Sequence, residues 1–469
     1  MDTTLHTTKL TQFRNTLYQN LDNRADSLME LLDAMCSKPD ARSVVEYSLA
    51  EAYRRSYSTI FKAIDQLNLK PLCLPHLLAP YLPRPQQRPF WLLMLDVTPC
   101  PRVFARTLKD RGLVYQPEVV KGKLPVTIGH QYSAVVLGLE AEAKVTLSWV
   151  LPLLTNRVRS DENKERVGEQ QIDRLMQDPD LPFGRDLTVE VADSGYSKAD
   201  YLHAHRKFRN LVTLVRVRGS RIFYHQPTVE EGEKSGAGHP TWYGKPFSLS
   251  DQTTWAEPNE TLTLQETSRR GKVYNVVVEV WHNKLMTGKN KPKLPVHEHP
   301  FSLVRVVRYD QEGNAAFKQP LWLLVMGDRR HELTLIQIFQ AYLTRFDIEH
   351  FFRFGKQKLL LTGFQTPEVE REEHWWELAH LAYAQLWMAR HVAEALPNPW
   401  ERHLPNMTRR LLSPTLVQRD FARIIRHLGT PAQPPKPRGN SSRRRKGMKL
   451  SPRPRFNVVT KAKNAAKAT

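Results

Sequence analysis

A mixed β-sheet flanked by helices is the fold class that this 469-residue sequence predicts, on three observations. Phe90-Trp91-Leu92-Leu93-Met94-Leu95 and Leu321-Trp322-Leu323-Leu324-Val325-Met326 are apolar runs without alternation, the texture of strands buried on both faces. Between Phe90 and Val217 such runs and helical patterns succeed one another in the order strand, strand, strand, helix, strand, helix, strand. A content of 41% apolar and 25% charged residues supplies a core for two to four domains and excludes a chain disordered throughout.

Taken in order, residues 1–85 read as a helical region. Leu10, Phe13, Leu17 and Leu21 recur at helical spacing, as do Leu28, Leu31, Leu32 and Met35. A third segment, 44–64, carries Arg54-Arg55, which suits either a DNA-docking module or a packed helical cap. Pro80, Pro83, Pro85 and Pro89 then break the pattern, and residues 86–218 hold the first strands and helices. Strands are expected at 90–95, 132–139, 145–153, 187–192 and 211–217, and helices at 163–176 and 198–206. The first of these strands closes on Asp96 and the fourth on Asp193.

Residues 219–320 are rich in Gly and Pro, with β segments at 272–281 and 301–308, and read as a β-rich insertion. Residues 321–430 return to a buried strand and then to helices at 333–360, 370–396 and 416–428. From Pro431 to Thr469 the chain has too little apolar content to fold alone and reads as a basic disordered tail containing Arg443, Arg444, Arg445 and Lys446.

Charge narrows the function. Lys and Arg number 69 against 48 Asp and Glu, a net +21. Twelve of those cations lie in the tail, which has no acid, leaving +9 on the body. Such a balance favours a polyanionic partner. No apolar stretch approaches the ~18 residues of a membrane span, and Met1 to His6 lacks a secretory pattern, so a soluble protein of the cytoplasm without membrane contact is expected. Cys36, Cys73 and Cys100 show no C-x-x-C spacing, against a disulfide framework or zinc ribbon. His297-Glu298-His299 reads as a solvated turn, and His331-Glu332 lacks the second His of H-E-x-x-H. Gly236-Ala237-Gly238 lacks the G-K-[ST] of a nucleotide-binding loop.

One segment carries chemistry. On a continuous helix Tyr342, Arg345, Glu349 and Lys356 fall within an arc of roughly 60°, one polar stripe opposite Ile348, Phe351 and Phe352. A carboxylate flanked by cations and a phenol suits divalent metal and phosphate together, although a solvated face with ordinary ion pairing looks the same. Asp96 and Asp193, each at the end of a buried strand, sit where open α/β sheets build their sites.

The spacing Tyr342-x2-Arg345-x3-Glu349-x6-Lys356 resembles the Y-R-E-K signature of bacterial insertion-sequence transposases of the DDE type, with Leu95-Asp96 and Ala192-Asp193-Ser194-Gly195-Tyr196 as the earlier acidic motifs. The resemblance covers about two thirds of the chain, from Phe90 to Leu396. It implies a ribonuclease-H-like catalytic core, formed by 86–218 and 321–430 and interrupted by the insertion. It further implies Asp96, Asp193 and Glu349 as catalytic residues holding two Mg²⁺ or Mn²⁺ ions, and Tyr342, Arg345 and Lys356 as DNA contacts. Arg443 to Lys446 are expected to add sequence-independent DNA binding.

The reaction implied is cut-and-paste transposition, with metal-dependent cleavage at transposon ends and strand transfer into target DNA. A homodimer in a synaptic complex, a bacterial cytoplasmic or nucleoid location and no nucleotide cofactor go with it. Relatives often form a hairpinned end in which an aromatic ring stacks on a flipped base. Trp242, Trp255 and Trp281 are the candidates, each equally readable as core. A nuclease without strand transfer, or an inactive descendant that only binds DNA, shares these features.

Overall fold

The computed structural model describes residues 3–116, 125–140, 149–228, 242–268, 271–288, 296–395, 412–436 and 453–459. Among them, ten α-helices are α1 (Thr3–Gln19), α2 (Ala25–Ser37), α3 (Tyr57–Asp65), α4 (Cys73–Leu78), α5 (Lys164–Gln177), α6 (Ala199–Ala204), α7 (Leu335–Thr344), α8 (Asp347–Lys358), α9 (Val369–Ala389) and α10 (Pro414–Leu428). The strands are β1 (Trp91–Pro101), β2 (Gly112–Tyr115), β3 (Val126–Gly138), β4 (Val150–Val158), β5 (Thr188–Ala192), β6 (Leu211–Val217), β7 (Ile222–Tyr224), β8 (Pro246–Ser248), β9 (Glu260–Thr267), β10 (Val273–Lys284), β11 (Phe301–Tyr309) and β12 (Leu321–Met326). This is the expected mixed sheet flanked by helices, consistent with a ribonuclease-H-like fold. No helix among the described residues is long and apolar enough to cross a membrane.

The chain divides into two compact units, and β1 contributes to both. The first comprises Met1–Leu82, Val97–Lys164 and Glu349–Thr469. Its centre is α9, whose residues from Trp375 to Ala389 are buried apart from Glu377. A helix buried all round must be surrounded by other elements, and α1, α2, α3, α10 and β4 pack against it. Tyr132 of β3 stacks on Trp376, with centroids 3.9 Å apart and rings 10° from parallel.

Two polar networks lie inside this core. Arg14 donates to both Asp33 oxygens, at 2.5 and 3.0 Å. The fully buried Glu372 accepts from Arg102 Nε at 2.6 Å and from Tyr132 Oη at 2.8 Å, and lies 2.7 Å from His130 Nδ1. Burial disfavours the Glu372 charge, but the His130 hydrogen bond and the Arg102 charge prevail and hold its carboxyl below the usual range.

Parts of the C-terminal region have partners in this unit. Arg54 and Arg55 donate to the carbonyls of Ala432 and Gln433. Phe456 N–H donates to Arg106 O at 3.0 Å, and Val459 N–H to Arg111 O at 2.8 Å, laying 453–459 beside β2. Arg443 to Lys446 lie outside the described residues.

The second unit comprises Pro83–Asp96 and Glu165–Ile348. Its strands run in the order β1-β5-β6-β12-β11-β10-β9. β1, β5 and β6 are parallel, and from β6 onward each neighbour is antiparallel. The β segments between residues 219 and 320 thus extend the sheet through the β11–β12 pairing. Beyond Val276 and Val278, an aromatic cluster of Phe247, Trp281 and Trp322 fills the core here, with Trp255 on its margin.

Candidate active site

Trp91 to Leu95 are each at most 4% exposed, as a strand covered on both faces requires. They pair in parallel register with β5, from Trp91 opposite Thr188 to Leu95 opposite Ala192. The next residue on each side is a carboxylate, Asp96 and Asp193. Directly paired residues of neighbouring strands share a face and lie ~4.8 Å apart in the sheet. The Asp193 backbone is still extended (φ −77°, ψ 178°), and Asp96 and Asp193 each follow the last paired residue of their strands. β1 does not end at Asp96, as the sequence had implied, but continues to Pro101. What ends there is its pairing with β5.

Asp193 caps the turn Ser194–Tyr196, its Oδ1 accepting from Gly195 N–H at 2.8 Å. Helix α5 presses on the end of β1 at Gly168, where a Cβ would stand 2.6 Å from Leu95 Cδ2 and 3.1 Å from the Tyr196 ring. The absence of a side chain at 168 is what admits the helix this close to the residue before Asp96.

Arg345 reaches Asp96 from α7. A capping box opens that helix, Gln337 N–H donating to Thr334 Oγ1 and Thr334 N–H to Gln337 Oε1. Arg345 Nη1 donates to Asp96 Oδ2 at 3.2 Å, and the two side chains are 9% and 16% exposed. Its guanidinium lies over the Phe346 ring at 4.9 Å and the Tyr342 ring at 5.6 Å. Tyr342 is only 2% exposed, so it packs beneath the cation.

The single helix expected over 333–360 is two helices, and Arg345 is the C-cap of the first. Glu349 is exposed and Lys356 half-buried on α8, in the part of that helix belonging to the first unit. Ile348, Phe351 and Phe352 are its buried residues, together with Phe354.

The remaining candidates separate by burial. Trp281 is core, its Nε1 donating to Ala256 O, and Trp255 Nε1 donates to Ser248 O. Trp242 is 43% exposed and stacks on His297, with centroids 4.1 Å apart and rings 2° from parallel. All three cysteines are buried thiols.

Sequence reading passed over Glu190, an acid within a buried strand. It is fully buried, accepts from Tyr201 Oη and from Thr213 Oγ1, and lies 2.9 Å from His205 Nδ1. Burial and this carboxylate push the Tyr201 phenol well above its ordinary range. A charge interrupting an apolar strand was the available signal. By parity Glu190 faces away from Asp193.

The family model described as DDE superfamily endonuclease matches residues 16–276. The chain belongs to this family. It is a nuclease-type enzyme, and the matched span holds Asp96 and Asp193 while ending before Glu349. No curated protein matches the chain. DDE endonuclease domains use divalent metal ions, and the pair here fits one. Carboxylates that follow paired residues of adjacent strands are hard oxygen donors of the kind such ions take.

Proposed function

We propose that this endonuclease is a DNA transposase that cleaves transposon ends and joins the freed 3′ ends to target DNA. What supports the reading is the pairing of Leu95 with Ala192, the residues just before Asp96 and Asp193, with Arg345 on Asp96, in a DDE endonuclease. Asp96 and Asp193 would hold Mg²⁺ or Mn²⁺, two ions in all, with Glu349 as the third carboxylate on the strength of the Tyr342, Arg345, Glu349, Lys356 spacing. When bound, such ions lower the pKa of water and offset charge on a leaving oxygen.

The chain's own groups bind and orient the DNA. Arg345, fixed on its aromatic bed, offers a guanidinium to a phosphate next to the scissile bond, and Tyr342 sets its position. Lys356 adds a phosphate contact. Water attacks the phosphodiester in line and gives up a proton as the P–O3′ bond breaks and the departing 3′ oxygen is protonated. That 3′ hydroxyl then attacks a second phosphodiester, losing its proton as the target's own P–O3′ bond breaks and the target's 3′ oxygen leaves. Residues Arg443 to Lys446 supply sequence-independent affinity, and two protomers bring the two ends together. Of the three candidate tryptophans, Trp242 is the one exposed enough to stack on a base.

The test is an end-cleavage and joining assay on duplexes carrying the DNA that flanks the coding sequence. Wild type with Mg²⁺ should nick and join, while Asp193→Asn and Glu349→Gln should bind without cutting. Cutting without joining would reduce the reading to a nuclease. Normal cutting by Glu349→Gln would remove that residue from the site.

A further inference from the structure

The second unit gathers cations at the end of its sheet opposite Asp96 and Asp193. β12 runs antiparallel to β6 with Met326 opposite Thr213, β11 to β12 with Ser302 opposite Val325, and β10 to β11 with Lys284 opposite Phe301. The start of β6, the end of β12, the start of β11 and the end of β10 therefore meet at one end. The two aspartates follow the last residues of β1 and β5 that pair with each other, Leu95 and Ala192, about 20 Å away for strands of this length.

Four side chains converge there, His203 from the last turn of α6, Arg206 and Arg330 from short 3-10 turns, and His299 from a loop. Arg206 and His203 precede β6, His299 precedes β11, and Arg330 follows β12. The His203 and His299 rings are 5.2 Å apart. Arg206 pairs with Asp328, whereas Arg330 donates only to Gly327 O and Asn283 Oδ1, both at 3.1 Å, and has no carboxylate partner among the described residues. Gly327 makes the turn possible, since its φ of +151° and the 2.6 Å between a built Cβ and Leu211 O would strain any other residue.

Asp328, the carboxylate paired with Arg206, also attracts Arg330 and His299, and Glu298 attracts His299, so several cationic groups crowd few counterions. Burial and the Arg206 charge hold the Arg330 guanidinium below its ordinary range, and burial, Arg206 and His203 do the same to the His299 imidazole. Moreover Arg206 Nε, Arg330 Nε and His203 Nε2 are all buried without a hydrogen-bond partner. Each such orphan is unfavourable, having lost water without gaining a partner. A tetrahedral oxyanion offers acceptors in several directions and a charge that two guanidiniums match.

We propose that Arg206, Arg330, His203 and His299 form a phosphate-binding site, separate from the carboxylate pair, that takes a phosphodiester of a nucleic-acid backbone. The same chemistry would accept free phosphate. The backbone is favoured because Trp242 stands exposed on His297, two residues from His299, and cations beside an open aromatic face suit a nucleic-acid strand. The assignment of source rests on the reading that this endonuclease acts on DNA.

Fluorescence anisotropy of a labelled duplex with the full-length protein, titrated over NaCl concentration, tests it. Arg330→Gln should weaken binding at least threefold and lower the slope of log K against log salt by about one. Asp328→Asn, which removes the local carboxylate, should tighten binding about twofold or more, an outcome that misfolding cannot produce. An unchanged slope in a normally folded Arg330→Gln, or no tightening in Asp328→Asn, overturns the proposal. Inorganic phosphate at fixed ionic strength is the second arm. If it raises the unfolding temperature of wild type but not of Arg330→Gln, and the duplex slope does not change, the ligand is free phosphate and the backbone assignment fails. Asp193→Asn should bind like wild type here, so failure of this site is distinguishable from failure of the cleavage reading.

Discussion

Arg345 and Asp96 form an ion pair of 3.2 Å in which both side chains are largely withdrawn from water. A withdrawn carboxylate keeps its charge only with a compensating cation beside it. Arg345→Gln should therefore lower stability in chelator by about 1–3 kcal/mol, read as a fall of several degrees in unfolding temperature. Added Mg²⁺ should recover more of that loss in the variant than it adds to wild type. Equal Mg²⁺ shifts in the two proteins would mean that Asp96 is not a metal ligand.

Asp193→Asn separates chemistry from folding. The amide oxygen can still accept from Gly195 N–H, so the turn keeps its cap and stability should change by less than about 1 kcal/mol. Nicking of supercoiled DNA should fall by two orders of magnitude or more while gel-shift affinity is retained. Residual nicking near the wild-type rate would exclude a catalytic role.

His380 sets a pH dependence. Its imidazole is 4% exposed and burial depresses its pKa to about 3. An unfolded histidine titrates near 6.5. Between these values the unfolded chain binds a proton that the folded chain does not. The stability that neutral His380 contributes is thus complete above about pH 6.5 and drains away as pH falls toward 3, by roughly 1.4 kcal/mol per unit. Urea unfolding of wild type and His380→Phe should give a stability difference that is flat from pH 7 to 8 and shifts in favour of the variant below 6. A constant difference down to pH 4 would contradict this.

Glu372→Gln should be among the most destabilising single changes in the first unit. It leaves Arg102 buried opposite a neutral amide, a loss of about 3–5 kcal/mol, measurable by denaturant unfolding. Glu372→Gln combined with Arg102→Met should cost less than the two single changes added together.

The tail's charge and its anchoring can be tested apart. Replacing Arg443, Arg444, Arg445 and Lys446 by Ala should lower the salt slope of DNA binding by up to about three units, with no change in unfolding temperature. Val459→Pro removes the N–H that donates to Arg111 O and should free 453–459 from β2 without touching that slope. Truncation at 430 would mix both effects.

Much of the sheet was legible because its strands are covered on both faces. The span 211–217 and the span 321–326 coincide with β6 and β12, where nearly every residue is apolar and buried. The same texture put Asp96 and Asp193 each after a buried apolar run, but it did not show that β1 and β5 are parallel neighbours. Elements set by tertiary contacts were not legible. Val97 to Pro101 contains two prolines and reads as a break, yet it continues β1. No Pro or Gly marks the break between α7 and α8. There Arg345 turns to Asp96 and Phe346 is left 44% exposed. Residues 453–459 pair through backbone groups, which no side-chain pattern announces. The Arg206 and Arg330 cluster joins positions 124 residues apart, and only strand register brings them together.

The strand order has a mechanical consequence. β9, β10 and β11 join the sheet in succession outward from β12, and β9 ends the series. A change in the length or decoration of that outer ribbon therefore leaves the register of β1 on β5, and the strand positions of Asp96 and Asp193, untouched.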